Sequence, residues 1–145
     1  MGTQQILMII LSVIVVGAAV AVGIQMFDTQ ADNQTRNALV VESMQMAVQA
    51  QAWYRTPSMM GGGGYQVGNI NIAKIARYIN NQADSNGVIE LDGTGVFVIQ
   101  QGTGTELTIT GRDSGQVDAT AKIVVLTTVD LAGRGKDGVR VDQVK

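Results

Sequence analysis

The stretch Ile6–Phe27, ILMIILSVIVVGAAVAVGIQMF, contains no charged side chain, and the first charge in the chain is Asp28. Ser12 and Gln25 are its only polar side chains. At ~1.5 Å rise per residue these 22 positions make a helix about 33 Å long, the thickness of a bilayer's hydrocarbon core. Thirteen of them are Ile, Leu, Val or Phe. At roughly −0.3 to −0.6 kcal/mol each, insertion gains on the order of 4 to 8 kcal/mol before subtracting for Gly, Ser and Gln. The segment suits lipid. A secretory signal peptide fits it less well. Ala19-Val20-Ala21 offers a small-residue cleavage site, but no Lys or Arg precedes Arg36 and the apolar run is longer than the usual h-region.

The helix is expected to continue. Asp28 to Arg55 holds neither Pro nor Gly, and Ala31, Ala38, Val41, Met44, Val48 and Ala52 recur mostly every three or four residues. That spacing lines them along one face of an amphipathic helix. Thr56-Pro57 and then Gly61 to Gly64 close it. One rod from about Gln4 to Arg55 would be roughly 75–80 Å long. The reading assigns residues 1–57 to a stem, with 1–27 its apolar half and 28–57 its amphipathic half. The stripe Val41, Met44, Val48 and Ala52 is expected to hold the stem to a globular head. Within the apolar half, Gly17/Ala21 and Ala19/Gly23 form small-xxx-small pairs that let helix backbones approach closely.

Composition narrows the rest. A chain of 145 residues suits one domain plus an anchor. Net charge is −2 without a basic cluster, which argues against a nucleic-acid site. Cys and His are both absent. That removes disulfides, thiolate nucleophiles, the commonest general base and the commonest metal ligands together. Eighteen Gly against one Pro predict many tight turns, and so β-structure.

Residues 58–69, centred on Met59-Met60-Gly61-Gly62-Gly63-Gly64, read as a flexible joint. The glycine run lacks the Lys-Ser/Thr ending of a phosphate loop, and Gly133-Arg134-Gly135-Lys136 is followed by Asp137, so neither is a nucleotide site. Residues 70–145 are expected to form the head. Ile70 to Asn80 is a short helix capped from Asn69 or Asn71, with Lys74 and Arg77 facing out. A meander follows, with strands at Val88–Leu91, Gly95–Gln101, Glu106–Gly111, Ala119–Thr128 and Val139–Val144. Ile123-Val124-Val125-Leu126 is apolar on both faces and is expected to be the central strand. The fold class is therefore α+β, a long N-terminal helix packed on a small antiparallel sheet.

A charge-free N-terminal helix, an amphipathic continuation and a Gly-rich β head resemble the type IV pilin-like superfamily. The resemblance covers Met1 to about Arg55 at the level of sequence. It implies processing by a prepilin peptidase at the cytoplasmic membrane, then extraction by assembly machinery into an extracellular helical homopolymer on the cell surface. Bacterial members typically carry Glu at mature position five. Here that position is Gln5, or Leu7 if cleavage follows Gly2, which brings the chain nearer archaeal-type or divergent bacterial members. The residues expected in a filament core are Ile6, Leu7, Ile10, Leu11, Ile14, Val15, Gly17, Ala18, Ala21, Val22, Ile24 and Phe27. Two other readings share the sequence features: a membrane-anchored extracytoplasmic binding module, and a minor pseudopilin of a secretion system.

Other sites are weaker. Asp113, Asp118, Asp130, Asp137 and Asp142 are loose carboxylates that could form a Ca²⁺ site in a loop, but they lack EF-hand spacing and sit where turns are ordinarily rich in Asp. Asn33-Gln34-Thr35 is a glycosylation triplet on the stem, of a kind that arises readily by chance. Phe27, Trp53 and Tyr54 read as core or interface residues. No catalytic, cofactor or metal constellation is expected, and no enzyme activity.

Overall fold

A computed structural model describes residues 2–91, 93–113, 123–133 and 138–143. The order of elements is α1 (Gly2–Arg55), short 3-10 turns at Ser58–Met60 and Val67–Asn69, α2 (Ile72–Ile79), β1 (Val88–Leu91), β2 (Gly95–Gln101), β3 (Glu106–Arg112), β4 (Val124–Asp130) and β5 (Val139–Gln143). The fold is α+β, as the sequence predicts. Contacts divide the chain into two units, residues 1–34 and 35–145, with the division inside α1. Residues from Thr35 onward belong with the head because the sheet covers one side of the helix there.

In the first unit the helix runs without a break through Gly17 and Gly23, where an added Cβ would meet nothing within 4 Å. Two of its hydroxyls bond back to the preceding turn, Ser12 Oγ to the Ile9 carbonyl at 2.8 Å and Thr29 Oγ1 to the Gln25 carbonyl at 2.9 Å. Such bonds let a hydroxyl enter an apolar medium with its proton satisfied.

In the second unit, five strands form one antiparallel sheet in the order β1-β2-β3-β4-β5, each pair joined by a connection along the chain. The predicted meander is present. Its centre is β3, however, and the strand expected there, Val124 to Leu126, lies fourth, beside the edge strand β5. Val125, Thr127 and Val129 face inward, while Val124 and Leu126 are half-buried on the other face. A run of Val and Leu therefore marks partial cover on the outer face and does not rank strands within a sheet. Ala119 to Lys122 and Val144, also expected in strands, lie outside the described residues.

The core is one cluster in which Leu39, Met46, Ala47, Ala50 and Trp53 of α1 meet Phe97, Ile99, Leu107, Ile109, Val125 and Val129 of the sheet and Ile75 and Ala76 of α2. At ~1.5–3 kcal/mol for each large apolar side chain removed from water, this cluster is the main source of the head's stability. Gly111 stands opposite Phe97 in the β2–β3 ladder. A Cβ there would come within 2.8 Å of the Phe97 ring, so the glycine makes room for the aromatic.

The face of α1 turned to the sheet corrects the expected stripe. The buried positions are Leu39, Ser43, Met46, Ala47, Ala50, Trp53 and Tyr54. Val41, Met44 and Val48 are 63%, 47% and 61% exposed, and Ala52 is exposed too. At ~100° per residue the two sets lie roughly 180° apart around the helix. Two properties select the buried face. Ser43, Ala47 and Ala50 are small enough to bring the helix backbone near the sheet, and Leu39, Met46 and Trp53 fill the space around them. The Thr127 hydroxyl also donates to Ser43 Oγ at 2.9 Å, and Ser43 donates to the Val40 carbonyl at 2.9 Å. A buried polar pair of this kind is satisfied only when helix and sheet meet in this rotation.

The end of α1 is a built turn and not a free joint. Pro57 has no N–H to continue the helix. The glycine run folds back instead: Gly63 N donates to the Trp53 carbonyl at 3.0 Å, Gly64 N to Thr56 at 2.9 Å and Tyr65 N to Tyr54 at 3.1 Å. The Tyr54 carbonyl in the last turn of the helix gains its partner in this way. Gly61 and Gly64 adopt φ of 84° and 62°, the left-handed region open to glycine. Trp53 Nε1 donates to the Gly61 carbonyl at 3.1 Å, and the Tyr54 and Tyr65 rings pack edge to face with centroids 5.7 Å apart. Nearby, α2 starts at Asn71, whose side chain accepts from Lys74 N at 3.3 Å, one of the two caps expected.

Candidate assembly surface on helix α1

The first unit contains little besides helix surface. Across Ile6 to Phe27 the large apolar side chains are all exposed, from 54% at Ile10 to 77% at Phe27. Ile6, Leu7, Ile10, Leu11, Ile14, Val15, Val22, Ile24 and Phe27 belong to that set, and Gly17, Ala18 and Ala21 are exposed between them. Every residue expected in a filament core thus lies on uncovered helix within its own unit. The apolar character goes all the way round. A helix of that kind is stable only where lipid or other protein covers it. By length and composition α1 can cross a membrane, and none of its most apolar window is buried.

The chemistry of this surface is packing. Ile6 to Phe27 offers no ionisable group, and its hydroxyl is engaged with the backbone. Asn33 is exposed on the helix. The head supplies no competing centre among the described residues. No group of three His, Cys, Asp or Glu side chains there is placed to hold a metal ion. Asp130, one of the carboxylates considered for calcium, accepts from Thr105 Oγ1 at 2.7 Å and from Ala132 N at 3.0 Å, and so closes a turn. Asp142 pairs with Arg140 at 3.2 Å on the surface. Asp118 and Asp137 lie outside the described residues. Phe27 is exposed, whereas Trp53 and Tyr54 are core residues.

Sequence reasoning passed over two structural residues. Gln51 sends its amide Nε2 to the carbonyls of Asp130 at 3.1 Å and Gly138 at 3.2 Å, tying α1 to the ends of β4 and β5. Ser43 meets Thr127 in the core. A polar residue at the i+4 spacing of buried neighbours, as Ser43 is to Leu39 and Ala47, was the available signal. Compared with known proteins, the chain matches no protein-family model, no curated protein and no solved structure.

Proposed function

We propose that the chain is a structural subunit of an extracellular type IV pilus-like filament, held in the membrane by its N-terminal helix before assembly and bundled through that helix afterwards. One observation carries the reading: from Ile6 to Phe27 the helix is apolar on every side and covered on none, and the same helix continues into a folded head. Lipid satisfies such a surface before assembly, and copies of the same helix satisfy it in a filament core. The resemblance to pilins adds a prepilin peptidase and assembly machinery as partners in the cytoplasmic membrane. The absence of Cys and His supports a structural role over an enzymatic one.

A second reading rests on the same apolar span, which also serves an anchored binding module whose helix never leaves the membrane. Electron microscopy of material sheared from producing cells, with the chain identified by peptide mass, separates the two. Long thin fibres containing this chain are the expected result. No fibres, with the chain confined to membranes, would overturn the filament reading in favour of the anchored module or a scarce pseudopilin.

A further inference from the structure

Asn86 is the only asparagine in the chain that is followed by glycine, and the pair stands in the turn that leads into β1. Of all sequences, Asn-Gly is the most prone to lose its side-chain amide, because glycine has no Cβ to hinder attack by its own nitrogen. The turn is closed tightly around the pair. Gly87 N donates to the Asp84 carbonyl at 3.0 Å, and the Gly87 carbonyl accepts from Ile99 N at 2.9 Å. Asn86 Nδ2 donates to Asp84 Oδ2 at 3.3 Å. The other carboxylate oxygen, Asp84 Oδ1, accepts from Ser85 N at 2.6 Å and from Ser85 Oγ at 3.2 Å. We propose that Asn86 is a site of deamidation whose reaction is gated by this turn, with Asp84 as the latch. The inference is independent of the filament reading.

The reaction needs water and nothing else. Gly87 N gives up its proton and attacks Asn86 Cγ. The new C–N bond closes a succinimide ring as the Cγ–Nδ2 bond breaks, and ammonia leaves with the proton. Water then adds to one of the two ring carbonyls. Opening on one side leaves Asp; opening on the other leaves isoaspartate, whose backbone runs through the side-chain carbon. The turn opposes the first step in three ways. The Gly87 proton that must leave is held by the Asp84 carbonyl. The Asp84 carboxylate lies in the same turn and disfavours the negative charge that develops on Gly87 N. Gly87 itself is buried at φ 79°, where a Cβ would come within 2.5 Å of Ile72 Cγ2 and 2.8 Å of the Ile99 carbonyl oxygen. Packed this closely, its backbone neither swings toward Asn86 Cγ nor accepts the extra backbone carbon of isoaspartate while its bond to β2 holds. Ring closure therefore waits for the turn to open. Asp84, Ser85 and Asn86 are exposed and β1 is an edge strand, so opening needs only this end of the strand to come away. Conversion adds a carboxylate to Asp84 and Glu90, which line one cleft with Asn86.

Full-length chain in detergent is held at mildly alkaline pH, with and without denaturing guanidinium chloride, and samples are digested with trypsin at intervals. Arg77 and Arg112 bound one peptide, Tyr78 to Arg112, in which Asn80 and Asn81 precede Asn and Gln and serve as internal controls. Mass spectrometry follows the exchange of amide for carboxylate, fragmentation places it, and isoaspartyl methyltransferase labelling reports isoaspartate. Loss of the Asn86 amide is expected to be roughly tenfold or more slower in the folded chain than in guanidinium. Asp84 is exposed and outside the core cluster, so Asp84→Ala keeps the sheet signal by circular dichroism. That variant should deamidate several-fold faster than the original when folded and at the same rate in guanidinium. Equal rates for the folded and denatured original chain overturn the gate, whatever the variant does. An Asn86 amide as durable in guanidinium as those of Asn80 and Asn81 overturns the site itself. An Asp84→Ala chain that deamidates as slowly as the original when folded overturns the latch.

Discussion

The two stretches of α1 solve different problems with similar residues. From Ile6 to Phe27 the apolar side chains surround the helix and none is covered; from Leu39 to Tyr54 one face is sealed against the sheet and the opposite face stays open. In the first stretch the chain relies on its surroundings for burial. In the second it supplies half of the burial itself. The comparison teaches that hydrophobicity alone does not reveal what a helix packs on. Val41 and Val48 are more apolar than Ser43 and Ala47, yet the sheet takes the latter pair.

The most severe way to break the contrast is Val15→Asp. A carboxylate inside an apolar bundle is left without partners. Filaments should disappear from micrographs, while the head keeps its sheet signal by circular dichroism. Filaments at normal yield would sink the bundling idea. Next, Trp53→Ala should strike the other stretch alone. It empties a fully buried site and removes the bond to Gly61. The expected loss is about 3–5 kcal/mol of head stability, seen by far-UV circular dichroism in urea with detergent-solubilised chain.

A finer test probes why the sheet chose its face. Ser43→Ala leaves the Thr127 hydroxyl buried without an acceptor, at a cost of about 1–3 kcal/mol. Adding Thr127→Val should recover part of that loss, because no polar group then remains unpaired. A double variant as weak as the sum of the two singles would refute the pairing argument. At the small end, Val48→Ser on the open face should change head stability by less than about 0.5 kcal/mol in the same urea titration. A loss of several kcal/mol would mean that this side is covered within one chain.

Much of this architecture can be read before any coordinates exist. The 54-residue helix follows from the lack of Pro and the placement of Gly, and the succession of strands follows from the glycine-marked turns, although β4 runs Val124–Asp130 and so ends two residues beyond the Thr128 expected. Two things were not legible. The face of α1 against the sheet depends on fit: two stripes of comparable spacing compete, and depth of approach and the Thr127 hydroxyl decide between them. The order of strands is likewise a property of the whole sheet, since Leu107 and Ile109 alternate with Thr in the central strand while the more apolar Val124–Leu126 run sits near an edge. For the candidate surface, the sequence located the apolar segment, whereas the exposure of Val41, Met44 and Val48 became visible only once the sheet had claimed the opposite side.

The fold-back of Gly63, Gly64 and Tyr65 onto Trp53, Thr56 and Tyr54 also has a mechanical meaning. Four glycines in a row look like an elastic tether that would pay out under tension. Here a pull on the end of α1 cannot stretch Gly61 to Gly64 until the clasp of three backbone bonds and the indole bond to Gly61 has given way. Between the helix and the sheet, the buried face of α1 and the two Gln51 bonds to the ends of β4 and β5 share the attachment.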